Sequence, residues 1–182
     1  MDLGKLIDND LCELGRAADL LWLSIGNPRI IDIEYNNGTV KKREVRDYEI
    51  HLQCAWRFVH EGRILLASQD IYNPYNRALD YDDDWHWDVS NREREQGSIY
   101  DAHSNDLRNN FLPLKIKNIY YTNTHDLHID FDKGVTFDTF MSISIWENYE
   151  FYRIIDFETR EHTVIFEDED EEDRTCVVKV VL

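Results

Sequence analysis

The chain has 182 residues, of which 42% are hydrophobic and 13% aromatic, so residues 1–182 suffice to build the core of one domain. Aspartate and glutamate number 37 against 20 lysines and arginines, and a net charge of −17 argues against binding to nucleic-acid phosphates or anionic lipid headgroups. Such a charge suits general solubility or a basic protein partner.

Three features of the sequence predict a cytoplasmic protein. Charged residues interrupt every apolar stretch near Met1, so no secretory signal is expected. No run approaches the ~20 apolar residues of a membrane span. The three cysteines, Cys12, Cys54 and Cys176, are odd in number and far apart, which suits reduced thiols.

The first 38 residues predict a helix followed by two strands. Apolar residues recur at spacings of three and four over Leu3–Leu14, which is typical of one face of a short helix. The continuous apolar run Ala18–Ile25 predicts a buried strand ended by Gly26-Asn27-Pro28, with continuation of the helix as the alternative. Ile30–Tyr35 then predicts a strand entering a hairpin at Asn36-Asn37-Gly38, since Asn and Gly tolerate positive φ.

The middle of the chain predicts a long strand, a long excursion and a helix. Apolar and polar residues alternate over Tyr48–Phe58, which predicts one strand with a buried face, and Ile64–Ala67 predicts the returning strand. Residues 69–97 contain few aliphatic side chains and predict an irregular excursion from the sheet. Ser98–Phe111 predicts a helix with Ser98 as its N-cap and Asp101 in the capping-box position.

The second half predicts a meander, and the whole chain an α+β fold. The fold expected is mainly antiparallel β-sheet, built from hairpins and a meander, with one N-terminal and one central short helix. The acidic run at 167–173 predicts a solvated loop. The predicted strands of this half are Ile116–Tyr121, Leu127–Phe131, Val135–Trp146, Tyr149–Phe157, Thr163–Phe166 and Thr175–Leu182.

The segment from Asp80 to Asp88 is the first candidate site. A contact surface for a basic protein is one interpretation, since tryptophan is favoured at the centre of protein interfaces. The carboxylates could instead hold Ca²⁺ or Mg²⁺, and His86 could add a nitrogen for Zn²⁺ or Mn²⁺, although the spacing does not match an EF-hand loop. A solvated loop that tucks its tryptophans onto the sheet is the third interpretation. The residues predicted to contact a partner are Asp82, Asp83, Asp84, Trp85 and Trp87.

His128, Asp130 and Asp132 form the second candidate site. In a strand these three side chains share one face, opposite Ile129 and Phe131, and three ligand-type groups in a row could hold a metal ion. The wet face of an antiparallel strand gives the same pattern.

The third candidate is the row His51, Gln53 and Arg57, which share a strand face and predict either a polar binding row or a satisfied polar network. Cys54 lies near His51 in sequence, but in one strand their side chains would leave opposite faces, so a nucleophile–base pair is not expected. Cys54 instead shares the apolar face with Trp56 and is expected to be a core thiol.

The run from His51 to Arg57, followed by Gly62-Arg63-Ile64 and Ala67-Ser68-Gln69-Asp70, resembles a family of small uncharacterised bacterial proteins. That family has a His-x-Gln-Cys-x-Trp-Arg strand, with Pro often found where this chain has Ala55. Gly15–Leu23 is also similar to the family pattern, so the resemblance covers about the first 70 residues. The family implies no established activity, but its size, acidity and bacterial setting resemble those of immunity proteins.

Two functions are therefore predicted. The first is a non-enzymatic acidic binding protein of the bacterial cytoplasm, such as an immunity or inhibitor protein for a basic partner. The alternative is a metal-dependent hydrolase or metal-binding module, in which a divalent ion would be the one cofactor. The sequence contains no Gly-x-Ser-x-Gly elbow, phosphate-binding glycine loop, dinucleotide fingerprint or His-Glu-x-x-His, so no catalytic residue is assigned.

Overall fold

The computed structural model describes residues 1–34, 38–88, 95–141, 150–167 and 175–181. Strands dominate this part of the chain, and each strand pair is antiparallel, so the prediction of a mainly antiparallel β protein is confirmed. In chain order the strands are β1 Asp10–Ala17, β2 Leu20–Glu34, β3 Val40–Leu52, β4 Ala55–His60, β5 Arg63–Ala67, β6 Leu114–Tyr121, β7 Leu127–Phe131, β8 Val135–Phe140, β9 Glu150–Asp156, β10 Glu161–Glu167 and β11 Thr175–Val181.

The strands form one sheet in the order β11-β10-β9-β3-β2-β1-β6-β7-β8-β4-β5. The sheet has two parts, β11-β10-β9-β3-β2-β1 and β6-β7-β8-β4-β5. They meet where β1 pairs with β6 through Asp10↔Lys115 and Leu11↔Leu114. Buried side chains from both parts belong to one hydrophobic cluster, in which Ile50 and Leu52 of β3 join Trp56 and other aromatic residues of the second part. The sheet therefore encloses a single core.

One α-helix, α1 Ile99–Asn110, packs on this sheet within the described residues. The predicted cap is confirmed: the Ser98 hydroxyl accepts from the Asp101 backbone N–H, and the Asp101 carboxylate accepts from the Ser98 N–H at 2.9 Å. These reciprocal bonds satisfy donors that the first turn cannot pair internally. Four short 3₁₀ helices complete the fold, at Leu3–Leu6, Ser68–Tyr72, Arg77–Tyr81 and Asp132–Gly134.

The predicted helix Leu3–Leu14 is wrong. A 3₁₀ turn ends at Leu6, and the chain then enters β1, where the register with β2 shifts between Leu11 and Glu13. This bulge inserts one extra residue, so Leu11 and Leu14 both face the core although they are three residues apart. The bulge thus imitates the spacing of a helix.

Gly26-Asn27-Pro28 does not end a strand, because β2 continues through it to Glu34 as a bulge opposite β3. Gly26 has a φ of +89°, and a Cβ at this position would lie 2.8 Å from Asp47 Oδ2. The Asp47 carboxylate accepts from the Asn27 N–H at 2.8 Å and from Arg29 at 2.9 Å. Burial alone would raise the pKa of Asp47, but these hydrogen bonds hold it below its usual value.

The single strand predicted over Tyr48–Phe58 is two strands, β3 and β4, separated at Gln53 and Cys54. The N–H groups of Gln53 and Cys54 both donate to the Phe151 carbonyl, at 2.8 and 3.1 Å, as the chain passes from one part of the sheet to the other. The alternation of apolar and polar residues continues across this break, because the even-numbered side chains of both strands, from Ile50 to Phe58, point into the common core.

The remaining elements largely match their predictions. The predicted excursion at 69–97 contains two 3₁₀ helices and turns within its described residues. The β2–β3 hairpin forms, although its predicted turn residues 36 and 37 lie outside the described residues. Residues 142–146 of the predicted Val135–Trp146 strand, residue 149 of the predicted Tyr149–Phe157 strand and residues 168–173 of the acidic run also lie outside them. No helix in the described part of the chain is long and apolar enough to cross a membrane.

Candidate functional site

The first candidate, Asp80–Asp88, begins within the 3₁₀ helix Arg77–Tyr81 and continues beyond its end. Asp82, Asp83 and Asp84 are all exposed, and the Asp84 N–H donates to Asp82 Oδ1 at 3.0 Å, which fixes the local turn. Within the residues that the structure describes, no lysine or arginine nitrogen lies within 4 Å of these three carboxylates. Their negative charge is therefore directed to solvent.

The two tryptophans of this segment support the loop. Trp85 donates from its indole nitrogen to the Gln96 carbonyl at 3.1 Å, and the Trp87 ring meets Tyr72 edge-on at a centroid distance of 4.9 Å. Both are partly buried, and Trp87 packs against the core. Tyr81, by contrast, is 94% exposed and was missed as a contact residue, although tyrosine is itself enriched at interface hot spots.

The predicted row of His51, Gln53 and Arg57 does not form. His51 lies on β3, Gln53 is exposed in the connection, and Arg57 lies on β4. Arg57 Nε lies 3.8 Å from Asp138, and its guanidinium lies 4.6 Å from the centre of the Phe140 ring. Arg57 thus belongs to a different surface from His51.

His51 instead lines a groove of about 630 Å³ on the face of β1–β3 that points away from the core. The register brings two rows together across these strands: Gly15, Trp22 and His51 in one, Glu13, Ser24 and Glu49 in the next. The side chains opposite to these rows, such as Leu23 and Ile50, are fully buried in the core. The further lining residues are Ala17, Leu20, Arg43, Glu44, Val45 and Arg46.

Gly15 allows Trp22 to lie against the backbone of β1. A Cβ on Gly15 would lie 2.2 Å from Trp22 Cζ2, far inside van der Waals contact. Trp22 is partly buried and borders both this groove and a second pocket of about 380 Å³ between β1 and α1. The glycine therefore sets the position of the indole that forms one wall of the groove.

The floor of the groove carries buried polar groups. Glu49 is 6% exposed and Ser24 is 4% exposed, and His51 Nε2 lies 2.9 Å from Glu49 Oε2. An ionised carboxylate can only accept, so Nε2 carries the hydrogen and, in the neutral ring, Nδ1 is left as an acceptor. Sequence reasoning identified His51 but missed Glu49, Ser24 and Trp22; the signal available was that Glu49 and His51 share a strand face.

The second candidate, at His128, is a closed ion-pair cluster. His128 Nδ1 lies 2.6 Å from Asp138 Oδ1 on β8, and Nε2 lies 3.0 Å from Asp130 Oδ1 on β7. Burial alone would lower the pKa of His128, but the hydrogen bonds with the two aspartates raise it above its ordinary value. Asp132 is not part of this cluster, because its Oδ1 accepts from the Lys115 N–H at 2.9 Å.

Of the four residues predicted as metal ligands, His128 and Asp130 are in contact, whereas His86 and Asp132 lie apart from them. His86 is exposed on the acidic loop, and both ring nitrogens of His128 contact carboxylates. In the described ranges of the chain no three His, Cys, Asp or Glu side chains are grouped so as to hold a metal ion.

Cys54 has the character of a core thiol. It is 9% exposed, and burial raises the pKa of its thiol to about 12, so the thiol stays protonated at neutral pH. A protonated buried thiol is a poor nucleophile.

Comparison with known proteins gives no match among protein families, curated proteins or solved structures. The resemblance of the first 70 residues to a family of small bacterial proteins stays a prediction.

Proposed function

We propose that this chain is a non-enzymatic binding protein of the bacterial cytoplasm that recognises a basic protein, in the manner of an immunity or inhibitor protein. The observation that carries the proposal is the exposed acidic segment at residues 81–84. Tyr81 is 94% exposed, and the three aspartates that follow it are exposed and turned to solvent. Tyrosine is enriched at the centre of protein interfaces, and the polar rim around such a centre can carry the aspartates.

The charge distribution around this segment supports the same proposal. Five aspartates and no lysine or arginine lie between Arg77 and Arg92 in the sequence, in a chain whose net charge is −17. A local concentration of one sign of charge speeds encounter with a partner of the opposite sign and disfavours partners of the same sign. The segment would thus select a basic surface before close contact is made.

The immunity or inhibitor class rests on the size and acidity of the chain and on its resemblance to small bacterial proteins. Neutralising a toxin or enzyme needs no catalytic group on the inhibitor, only a surface that matches the target. A target that binds anionic substrates carries a basic site, which an acidic inhibitor can cover.

To test the proposal, the protein is immobilised and exposed to lysate of its source bacterium. Its affinity for the basic protein that it captures is then measured. Replacing Asp82, Asp83 and Asp84 by asparagine should weaken binding about tenfold and flatten its dependence on salt, since charges at an interface mainly act through steering. Replacing Tyr81 by alanine should lower affinity by a similar factor through loss of a buried contact.

A matched control removes three charges elsewhere. Asp19, Asp32 and Glu61 are exposed, and replacing them by Asn, Asn and Gln changes the net charge by the same amount. This control should bind with nearly native affinity. Equal binding by both triple variants would show that only net charge matters and would remove residues 81–84 from the interface.

A further inference from the structure

The groove on β1–β3 combines features that the acidic loop lacks: it is concave, its floor is polar and buried, and one wall is an indole. Its volume of about 630 Å³ lies within the ~300–1,000 Å³ typical of ligand pockets. Ser24 Oγ and Glu49 Oε1 are not among the fully buried side-chain atoms that lack a partner in the described residues, so both oxygens are open to the groove and to a ligand.

The floor has unused capacity to accept hydrogen bonds. Glu49 contacts His51 through Oε2, and its other oxygen, Oε1, receives no hydrogen bond from the described residues. The Ser24 hydroxyl is cross-strand from Glu49 and likewise has no partner among the residues that the structure describes. In the neutral His51 ring with Nε2 donating to Glu49, Nδ1 would be a third acceptor on the same floor.

The charges around the groove favour a cation at this end. Three glutamates and two arginines line it. Arg46 is held by Glu13 at 3.0 Å, Arg43 is exposed, and Arg153, cross-strand from His51, is paired with Glu150, so none of the three offers its charge to the floor. An anion would meet acceptors there and be repelled, whereas a planar donor-rich cation would satisfy them.

We infer that this groove binds a guanidinium group, which stacks on Trp22 and donates to Glu49 Oε1 and Ser24 Oγ. A guanidinium presents five donors in one plane and stacks on aromatic faces, so it matches an acceptor floor beside an indole. The inference deepens the proposed function, on which it rests for one of two sources of the group: an arginine side chain of the basic partner. The other source is a free guanidine-containing metabolite.

The test titrates the 182-residue chain with N-acetyl-argininamide and with N-acetyl-citrullinamide, and follows binding by calorimetry and by ¹H–¹⁵N NMR shifts. Citrulline keeps the shape of arginine but replaces the cation by a neutral urea. A glycine-flanked peptide with one central arginine, and its citrulline counterpart, form the second arm. Binding of the arginine probe at least about tenfold tighter than the citrulline probe is expected, because charge-assisted hydrogen bonds are the stronger ones.

Variants then locate the bound probe. Glu49→Gln should weaken arginine binding about tenfold or more, and Ser24→Ala by a smaller factor, with thermal melts confirming that both variants fold. Glu61→Gln removes one exposed charge on the β4–β5 turn and should bind arginine as the native protein does. Equal affinity for N-acetyl-argininamide and for the arginine peptide shows that the guanidinium compound alone suffices, as for a metabolite, while binding of the peptide alone identifies a protein source.

Equal binding of arginine and citrulline probes, or native affinity in Glu49→Gln, would overturn the inference, as would no binding of either arginine probe. These outcomes are separable from failure of the acidic surface. The triple Asp82, Asp83 and Asp84 variant should bind the arginine probes normally, and loss of partner capture in that variant does not depend on Glu49.

Discussion

His51 on β3 and His128 on β7 lie on different parts of the sheet, yet each contacts a carboxylate two residues away on its own strand. Glu49 lies 2.9 Å from His51, and Asp130 lies 3.0 Å from His128. The two pairs differ in their cross-strand neighbours. His128 faces Asp138 of β8, whereas the register places Trp22 of β2 on one side of His51 and Arg153 of β9 on the other.

The second carboxylate at His128 is what distinguishes the two pairs. Asp138 occupies the second nitrogen of His128, so both ring nitrogens of His128 contact an aspartate. Trp22 occupies no nitrogen of His51, and Glu49 is buried with one oxygen unpaired among the described residues. The first arrangement stabilises the fold, and the second is available to a ligand.

The largest expected effect comes from filling the space that holds Trp22. Gly15→Ala places a methyl group 2.2 Å from the indole, and forcing the ring away should lower the free energy of unfolding by about 3 kcal/mol. Urea unfolding measures this loss. Gly4→Ala is the control, since its nearest neighbour is the exposed end of Asp2 at 3.1 Å, and it should change stability by no more than about 0.5 kcal/mol. Equal losses would mean that Trp22 does not rest on Gly15.

Asp138→Asn tests the cluster at His128. It should lower the free energy of unfolding by about 1 kcal/mol at acidic pH and lower the pKa of His128. Folding raises the pKa of His128. Its contribution is therefore fully present below the ordinary histidine pKa of about 6.5 and is lost as pH rises through the raised value. The stability difference between the native protein and the variant should shrink above that range. NMR titration of the His128 ring and urea unfolding across this pH range measure both effects.

Asp130→Asn serves as the comparison for that variant. Asp130 is 41% exposed and lies farther from the ring than Asp138, so its removal should lower the pKa of His128 by less. If Asp138→Asn left the His128 titration unchanged, the cluster would not be an ion pair in solution.

The sequence was sufficient for features that depend on neighbours along the chain. The Ser98 cap of α1 and the bounds of β7, which match the predicted Leu127–Phe131, depend on local spacing alone. Alternation also placed Trp56 and Phe58 in the core. The helix predicted over Leu3–Leu14 failed because a bulge depends on the partner strand, which local spacing does not reveal.

The candidate sites likewise divide into features that local sequence predicts and features that depend on packing or strand pairing. The exposed aspartates at 82–84 follow from composition, but which aromatic residue is exposed depends on packing, and Tyr81 rather than the tryptophans reaches solvent. His51 was separated from Arg57 by the break at Gln53, and its real neighbours, Trp22 and Ser24, lie on another strand. Pairing across β1–β3 was not encoded in any local pattern.

The smallest expected effect concerns the predicted metal ligands His86, His128, Asp130 and Asp132. Because both nitrogens of His128 contact aspartates, a metal ion would have to displace a hydrogen-bonded carboxylate before binding. Thermal melts with Zn²⁺, Mn²⁺, Ca²⁺ or Mg²⁺ should therefore shift the melting temperature by no more than about 1 °C, since a specific ion stabilises the folded state by mass action. His128→Gln is the matched variant. A larger shift that this substitution abolishes would show that the cluster opens to a metal, and the distinction between a closed His128 and an open His51 would fail.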